Sequence, residues 1–417
     1  VSDRLAPRES DTAVAEADRI AGSDLDVVIF GGGGAGMWLL DVVRRAGHRA
    51  LLLESRALGF GQTISCQGII HGGVKYSAWG LVSSSSRVLA EMPRRWRESL
   101  EGEGYPNLCG TSLRGDCCHY WGTGSLSSLL SLCGARLNLR VHLTRVRRRA
   151  RPEVLRPCSG GVFRAPEPVI DPAGFLGLLA EQNSDRILKI DAEAGLTFAQ
   201  QSSGEVRAVH LRIPGGEREM ELRPRWVVLT AGEGNENLRA RLGLEPGAMQ
   251  RRPLHMVMVR GPLPLLNGHC LEKLTTRVTI TSTTDSAGRV VWQLGGEIAE
   301  KGTRMDSAEL IELAKKELRV ATRGLTMGDV QWSTYHIDRA EGSTAGQRRP
   351  EGAQVLREGN VITAWPTKLA LVPPMADKVL RLLGRPATAV SQAATSFAAW
   401  PRPAVAVPPW EEMTEWT

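Results

Sequence analysis

Asp26-Val27-Val28-Ile29-Phe30, followed at once by Gly31-Gly32-Gly33-Gly34-Ala35-Gly36, is the stretch on which the fold turns. A short apolar run bounded by a polar residue and by glycine has the pattern of a strand buried on both faces of a parallel sheet. Beyond Gly36, Met37, Leu40 and Val43 recur at helical spacing, and Gly47-His48 closes that helix as glycine commonly does. Ala50-Leu51-Leu52-Leu53-Glu54 then reads as a second strand, which completes a βαβ unit.

The glycines satisfy G-x-G-x-x-G in the one context that gives the pattern weight, directly after a strand and directly before a helix. Gly31 permits the tight turn, Gly33 lets the backbone approach a diphosphate, and Gly36 lets helix and strand pack closely. Gly34 and Ala35 lie at the helix N-terminus, whose N–H groups and dipole favour an anion. Glu54, at the end of the second strand, is placed to accept hydrogen bonds from both hydroxyls of an adenosine ribose and to repel a 2′-phosphate. An unmodified dinucleotide is therefore expected.

Working outward, 417 residues are too many for one small core, so two domains or one domain with an insertion are expected. No run approaches the roughly 20 apolar residues of a membrane helix. The first two dozen residues carry charges throughout and lack the apolar core of a secretory signal, so a cytoplasmic address is expected, with a peripheral membrane contact left open. Seven scattered cysteines, without paired CxxC spacings, read as packed thiols, and no metal site is expected. The same reading covers the adjacent Cys117 and Cys118. The net charge of +7 comes mainly from arginine. Its densest run, Arg145, Arg147, Arg148, Arg149 and Arg151, reads as a solvated edge or loop, and without aromatic interleaving it does not point to nucleic acid.

Leu89, Met92, Trp96 and Leu100 predict a helix over roughly Ser85 to Glu101. Short apolar runs from Leu137 to Val154 and from Leu188 to Leu222 predict strands, Trp226 to Thr230 another buried parallel strand, and His255–Val259 and Val278–Thr281 further β-structure. Asp306-Ser307 predicts the start of a helix reaching about Ala321. Asn360 to Ala364 reads as a strand, and Pro373-Pro374 opens a helix through Val379. The chain after Arg385, rich in Pro, Ala and Trp, reads as irregular or linker-like.

Asp26 to Tyr76 resembles the N-terminal region of FAD-dependent oxidoreductases of the D-amino-acid oxidase superfamily. Within it, Ile70-His71-Gly72-Gly73-Val74-Lys75-Tyr76 is similar to a segment of FAD-linked glycerol-3-phosphate dehydrogenases and, more distantly, of L-2-hydroxyglutarate dehydrogenases. Val162 to Ala180, Trp226 to Gly232, Arg349-Pro350 and Asn360 to Ala364 resemble later segments of the superfamily. The resemblance implies FAD and a fold with a Rossmann-like α/β domain, discontinuous in sequence, carrying an inserted antiparallel β-sheet substrate domain. The corresponding bounds are a flexible segment 1–23, a flavin domain of 24–95, 155–235 and 332–395, a cap of 96–154 and 236–331, and an irregular tail 396–417. It implies cofactor contacts from Ser55, Gln62, Thr63, Gln67, Gly68, Ala231 and Gly232 besides the glycines and Glu54. Two departures stand out: Gly61 to Gly68 alters the usual approach to the flavin, and Trp365 to Ala370 has no glycine where the superfamily turns beneath it.

The chemistry so implied is hydride loss from a CH–OH or CH–NH group to flavin N5. The substrate is expected to be a small anion of 2-hydroxy acid, glycerol-3-phosphate or amino acid type, and the electron acceptor oxygen, a quinone or a carrier protein. Lys368 is the expected positive charge beside the flavin, His71 a proton acceptor, flavin contact or attachment point, and Arg349 the planar fork for the substrate anion, with Arg339 a second candidate. Lys75 and Tyr76 are expected to frame the site. Two other readings stay open on the sequence: a non-catalytic, assembly-dependent flavin-binding subunit, and an NAD-dependent reductase.

Overall fold

Val27, Val28 and Ile29 are completely buried because parallel strands flank them on both sides, Ala50–Glu54 and Glu219–Leu229. The computed structural model describes residues 19–73, 84–124, 143–272, 275–323, 325, 327–387 and 397–417, and only the backbone of 19–23 and 84–87. The sheet built around Arg19–Phe30 continues through Val361–Trp365 to Gln354–Glu358 on one side and through Ala50–Glu54 to Ile187–Lys189 on the other. Strands Val206–Arg212 and Leu196–Gln200 extend it antiparallel from Glu219–Leu229.

Helices Gly34–Arg45, Pro172–Gln182 and Val372–Leu383 cover one face, with Trp38, Trp96 and Phe175 packed ring against ring in the core between. Burying each such side chain contributes about 1.5–3 kcal/mol. Trp96 comes from the helix Ser84–Leu100, and its ring lies 4.6 Å from that of Trp38. Asp171 caps the helix Pro172–Gln182 by accepting from the Gly174 N–H at 2.8 Å.

A second sheet runs in the order Gln331–Gly342, Met249–Gly261, Val290–Gly295, Thr275–Thr284, Gly268–Glu272, Cys118–Gly122, Val162–Ala165 and Thr144–Arg145. All its pairings are antiparallel except that between Gly268–Glu272 and Cys118–Gly122. The helix Ser307–Ala321 packs Leu310, Ala314 and Leu318 into a core with Val257, Val259 and Trp292 on one face of this sheet. Its start is a reciprocal capping box between Asp306 and Glu309.

Several expected bounds shift. The first strand begins at Arg19 rather than Asp26, because Glu219–Leu229 is long enough to pair with it from Arg19 onward, so a flexible segment does not extend to residue 23. Val162–Ala165 and Gln331–Gly342, expected in the flavin domain, belong to the second sheet, where each finds an antiparallel partner. In the stretch Leu137 to Val154 the described part holds one short strand, Thr144–Arg145, and single 3-10 turns, with Arg147, Arg148 and Arg149 exposed. The tail is largely irregular in its backbone but is no linker: Phe397, Trp400 and Trp410 are buried.

Candidate functional site

The backbone between Phe30 and Gly34 explains the glycines individually. Gly31 has φ +101°, and a Cβ there would stand 2.4 Å from the Ala231 Cα, so the first bend passes against the end of the strand Glu219–Leu229. A Cβ on Gly36 would come within 1.9 Å of the Gly31 carbonyl oxygen, which fixes how closely helix and strand approach. The first bond of the helix proper runs from the Met37 N–H to the Gly33 carbonyl at 3.0 Å, leaving the preceding amides outside the helix's own ladder.

Glu54 supports this bend. One carboxylate oxygen accepts from the Gly32 N–H at 2.6 Å and the other from the Arg56 N–H at 2.7 Å. Thr63 Oγ1 accepts from the Gly34 N–H at 3.1 Å. Across the sheet, the Ala231 N–H donates to Asn235 Oδ1 at 2.8 Å, and the Thr230 hydroxyl donates to the Phe30 carbonyl at 2.9 Å.

These elements open onto a cavity of about 1530 Å³. Gly31, Gly33, Gly34, Ala35, Glu54, Ser55, Gln62, Thr63, Ala231 and Gly232 line it, with Lys368 at the turn after the strand Val361–Trp365. Arg56, Lys189, Asp191 and Arg241 lie at the glycine and Glu54 end; Tyr335 to Asp338 and Ala340, from the second sheet, close the other. Gln62 ties the two sheets together, its Oε1 accepting from the Ala340 N–H at 3.2 Å. The Tyr335 hydroxyl donates to the Ser65 carbonyl at 2.9 Å and accepts from Gln293 Nε2 at 3.0 Å. Burial raises the pKa of that phenol, which keeps it protonated. Burial likewise raises the pKa of the lining Cys66 thiol.

Gly36 does not line the cavity but sets the packing beneath it, and four other expected residues lie elsewhere. Gln67 turns into the second sheet, where its Nε2 donates to the Gln293 carbonyl at 2.9 Å. Gly68 has φ +73° and would place a Cβ 2.1 Å from the Ile170 carbonyl oxygen, so it serves the turn. From there Ile69 bridges to Val169 and the Ile70 N–H donates to the Pro168 carbonyl, which leads His71 away from the cavity. His71 sits instead with Glu167 and His269, their nearest nitrogen and oxygen atoms all within 4.8 Å of one another. Glu167 is fully buried and accepts from the Gly72 N–H at 2.5 Å and the Tyr120 hydroxyl at 2.7 Å. His269 Nδ1 lies 2.9 Å from Thr279 Oγ1. Lys75 and Tyr76 lie outside the described residues.

Arg349 is also absent from the lining. It stands in a group of guanidiniums with Arg252 and Arg339, which face each other directly across paired strands. Arg252 contacts Glu341 at 2.9 Å, while Arg339 reaches Glu300 at 3.3 Å. Burial, and then the neighbouring Arg252 and Arg349, lower the pKa of Arg339.

Two features were missed in the sequence. Thr367 takes up the positive φ, +63°, at the turn where glycine was lacking. The tail also reaches the cavity, through Val407, Pro409, Glu412, Met413 and Thr414. Only its density of tryptophan and proline hinted that it packs.

The cradle fits a dinucleotide cofactor: a side chain at Gly31 or Gly36 would collide with backbone, Gly33 opens towards the cavity, and a carboxylate stands at the end of the second strand. A family model described as FAD dependent oxidoreductase matches residues 26–340. The chain is 38% identical, over 93% of its length and 97% of the relative's, to a protein of Pseudomonas aeruginosa named "Probable FAD-dependent oxidoreductase PA4991". The crystal structure of that protein superposes with a TM-score of 0.78 at 35% identity, covering 94% of this chain and 98% of the other. Glycine oxidase of Geobacillus kaustophilus (TM-score 0.61, 18% identity, 90% and 99% coverage) and FAD-bound L-α-glycerophosphate oxidase of Mycoplasma pneumoniae (TM-score 0.61, 13% identity, 91% and 97% coverage) share the fold. Among the described residues no helix is long and apolar enough to cross a membrane. The chain belongs to the D-amino-acid oxidase family of FAD-dependent oxidoreductases.

Proposed function

We propose that this oxidoreductase removes hydride from the CH–NH group of a small anionic substrate of amino acid type. The observation that carries this reading is a single cavity running from the glycine bend and Glu54 to the inner face of the second sheet at Tyr335–Ala340. The bound FAD supplies the hydride acceptor. Gly31, Gly33, Gly34 and Ala35 would hold its diphosphate and Glu54 its ribose, and Lys368 would contribute positive charge from the cavity wall.

The second sheet covers the reacting end and limits water there, while Gln62, Ser65, Gln293 and Tyr335 hold the two sheets in fixed relation. Arg252, Arg339 and Arg349 supply the positive field that draws a carboxylate. An alcohol needs a base as its C–H bond breaks, whereas an amine can enter already deprotonated. His71, the proton acceptor expected for an alcohol, faces Glu167 and His269 instead, so an alcohol would have to give its proton to another lining group such as His336. The second reading is a 2-hydroxy acid or glycerol-3-phosphate, favoured by the similarity of Ile70 to Tyr76 to enzymes of those substrates.

Anaerobic spectra separate the two. Small amino acids are expected to bleach the flavin, and bleaching by hydroxy acids or glycerol-3-phosphate alone would transfer the assignment to the alcohol. Bleaching by none of them would refute both. Replacing Arg349 with Ala is expected to weaken an anionic substrate by about 1 kcal/mol or less, since a charge outside the cavity lining acts only through its field, and an unchanged Michaelis constant would remove Arg349 from the anion's recognition.

A further inference from the structure

The C-terminal segment bridges the two sheets along the cavity, to whose lining it contributes. At one end it pairs with the loop after Glu54: the Leu58 N–H donates to the Ala404 carbonyl at 2.8 Å, and the Ala406 N–H returns a bond to the Leu58 carbonyl at 3.0 Å. At the other end Thr417 exchanges two backbone hydrogen bonds with Trp332, at 2.7 and 2.9 Å, on an outer strand of the second sheet. Between these anchors Glu411 accepts from the Ser286 N–H and hydroxyl at 2.7 and 2.6 Å.

Trp410 is the apolar centre of this strap. It is 4% exposed and packs in one cluster with Met256, Met258 and Tyr335, of which Tyr335 lines the cavity. The Arg114 guanidinium lies 5.0 Å from its ring, itself fixed by Asp171 at 2.7 Å and Gln293 at 3.3 Å. Pro409, Glu412 and Met413, on either side of Trp410, face the cavity directly. The indole therefore fills apolar space immediately behind the cavity wall at the second-sheet end.

We propose that Trp410 is a specificity-determining residue, the rigid backing of the cavity wall that limits the substrate to a short side chain. This rests on the anionic-substrate reading only for the choice of probe. A smaller residue there would open an apolar recess among Met256, Met258 and Tyr335, into which a bulkier substrate group could extend. Apolar volume in such a recess discriminates between ligands by about 10–200-fold per group.

The test uses FAD-loaded wild type, Trp410→Ala and the milder Trp410→Leu. Perturbation of the flavin absorbance by acetate and by phenylacetate gives a preference ratio, and acrylamide quenching of flavin fluorescence gives access to the cavity. Trp410→Ala is expected to shift the ratio towards phenylacetate by about tenfold or more and to raise the quenching constant, with Trp410→Leu between it and wild type. Should Trp410→Ala fail to hold FAD, Trp410→Leu decides by the same two readouts. An unchanged ratio and unchanged quenching in a folded, flavin-loaded variant would overturn the proposal. If neither carboxylate perturbs any of the three proteins, the anionic-substrate reading falls, and the quenching constant alone decides for or against the wall.

Discussion

The Gly32 N–H donates to a Glu54 carboxylate oxygen at 2.6 Å, so the acid that ends the second strand also braces the bend that follows the first. The loop support seen here and the ribose recognition proposed for the same carboxylate together predict graded losses. Glu54→Ala is expected to weaken FAD binding about 10- to 100-fold, in line with roughly 1.5–3 kcal/mol for a charge-assisted hydrogen bond, and Glu54→Gln less. Titration of apoprotein with FAD measures both; equal affinities in all three proteins would contradict the assignment.

Thr367 bears a conformational cost at a turn whose backbone favours glycine. Its φ of +63° is unfavourable for a β-branched residue, and its buried hydroxyl has no hydrogen-bond partner among the described residues. Thr367→Gly removes both penalties and is expected to stabilise the protein by about 1 kcal/mol, net of the added chain entropy. Urea unfolding checks the sign, and a loss of stability would show that the threonine's packing outweighs its strain.

His255 makes stability depend on pH. Burial is the main cause that lowers its pKa; the Gly302 carbonyl opposes this, and the His336 ring stacked at 3.8 Å adds to it. The unfolded chain therefore takes up a proton below about pH 6.5 that the folded ring resists, and stability falls from there downward until the folded pKa is reached. His255→Gln removes this contribution, so its melting temperature is expected to drop less than that of wild type between about pH 7.5 and 5.5. Parallel curves would exclude His255 as the source.

Phe175 tests the packing beneath the glycine bend. It is fully buried, with ring centroids 5.6 Å from Trp96 and 6.5 Å from Trp38. Phe175→Ala is expected to cost about 3–5 kcal/mol by urea unfolding, and a cost below about 1 kcal/mol would mean that the helices close over the void.

The βαβ unit was legible because everything that defines it is local: an apolar run, glycines, a helical period and an acid follow one another between Asp26 and Glu54. The same holds for the helix Ser307–Ala321, whose cap and stripe are contiguous. What escaped depends on partners distant in sequence. Nothing around His71 reveals that Ile69 bridges to Val169 and carries the histidine to Glu167 and His269. The tail has no period to read, because its anchors, Leu58, Ser286 and Trp332, lie in three different segments. Arg349 lies beside Arg252 and Arg339 only through the pairing of strands that begin about eighty residues apart.

Gly31→Ala probes whether one tight bend holds the cofactor's diphosphate. Its φ of +101° and the 2.4 Å approach to the Ala231 Cα leave no room for a methyl group. The measurement is the absorbance spectrum and mass of the cofactor, released or attached, from wild type and variant purified side by side. The expected result is yellow wild type carrying FAD and a folded variant depleted of it. Colourless wild type that takes up no FAD on reconstitution, or a variant that retains it fully, would contradict the account.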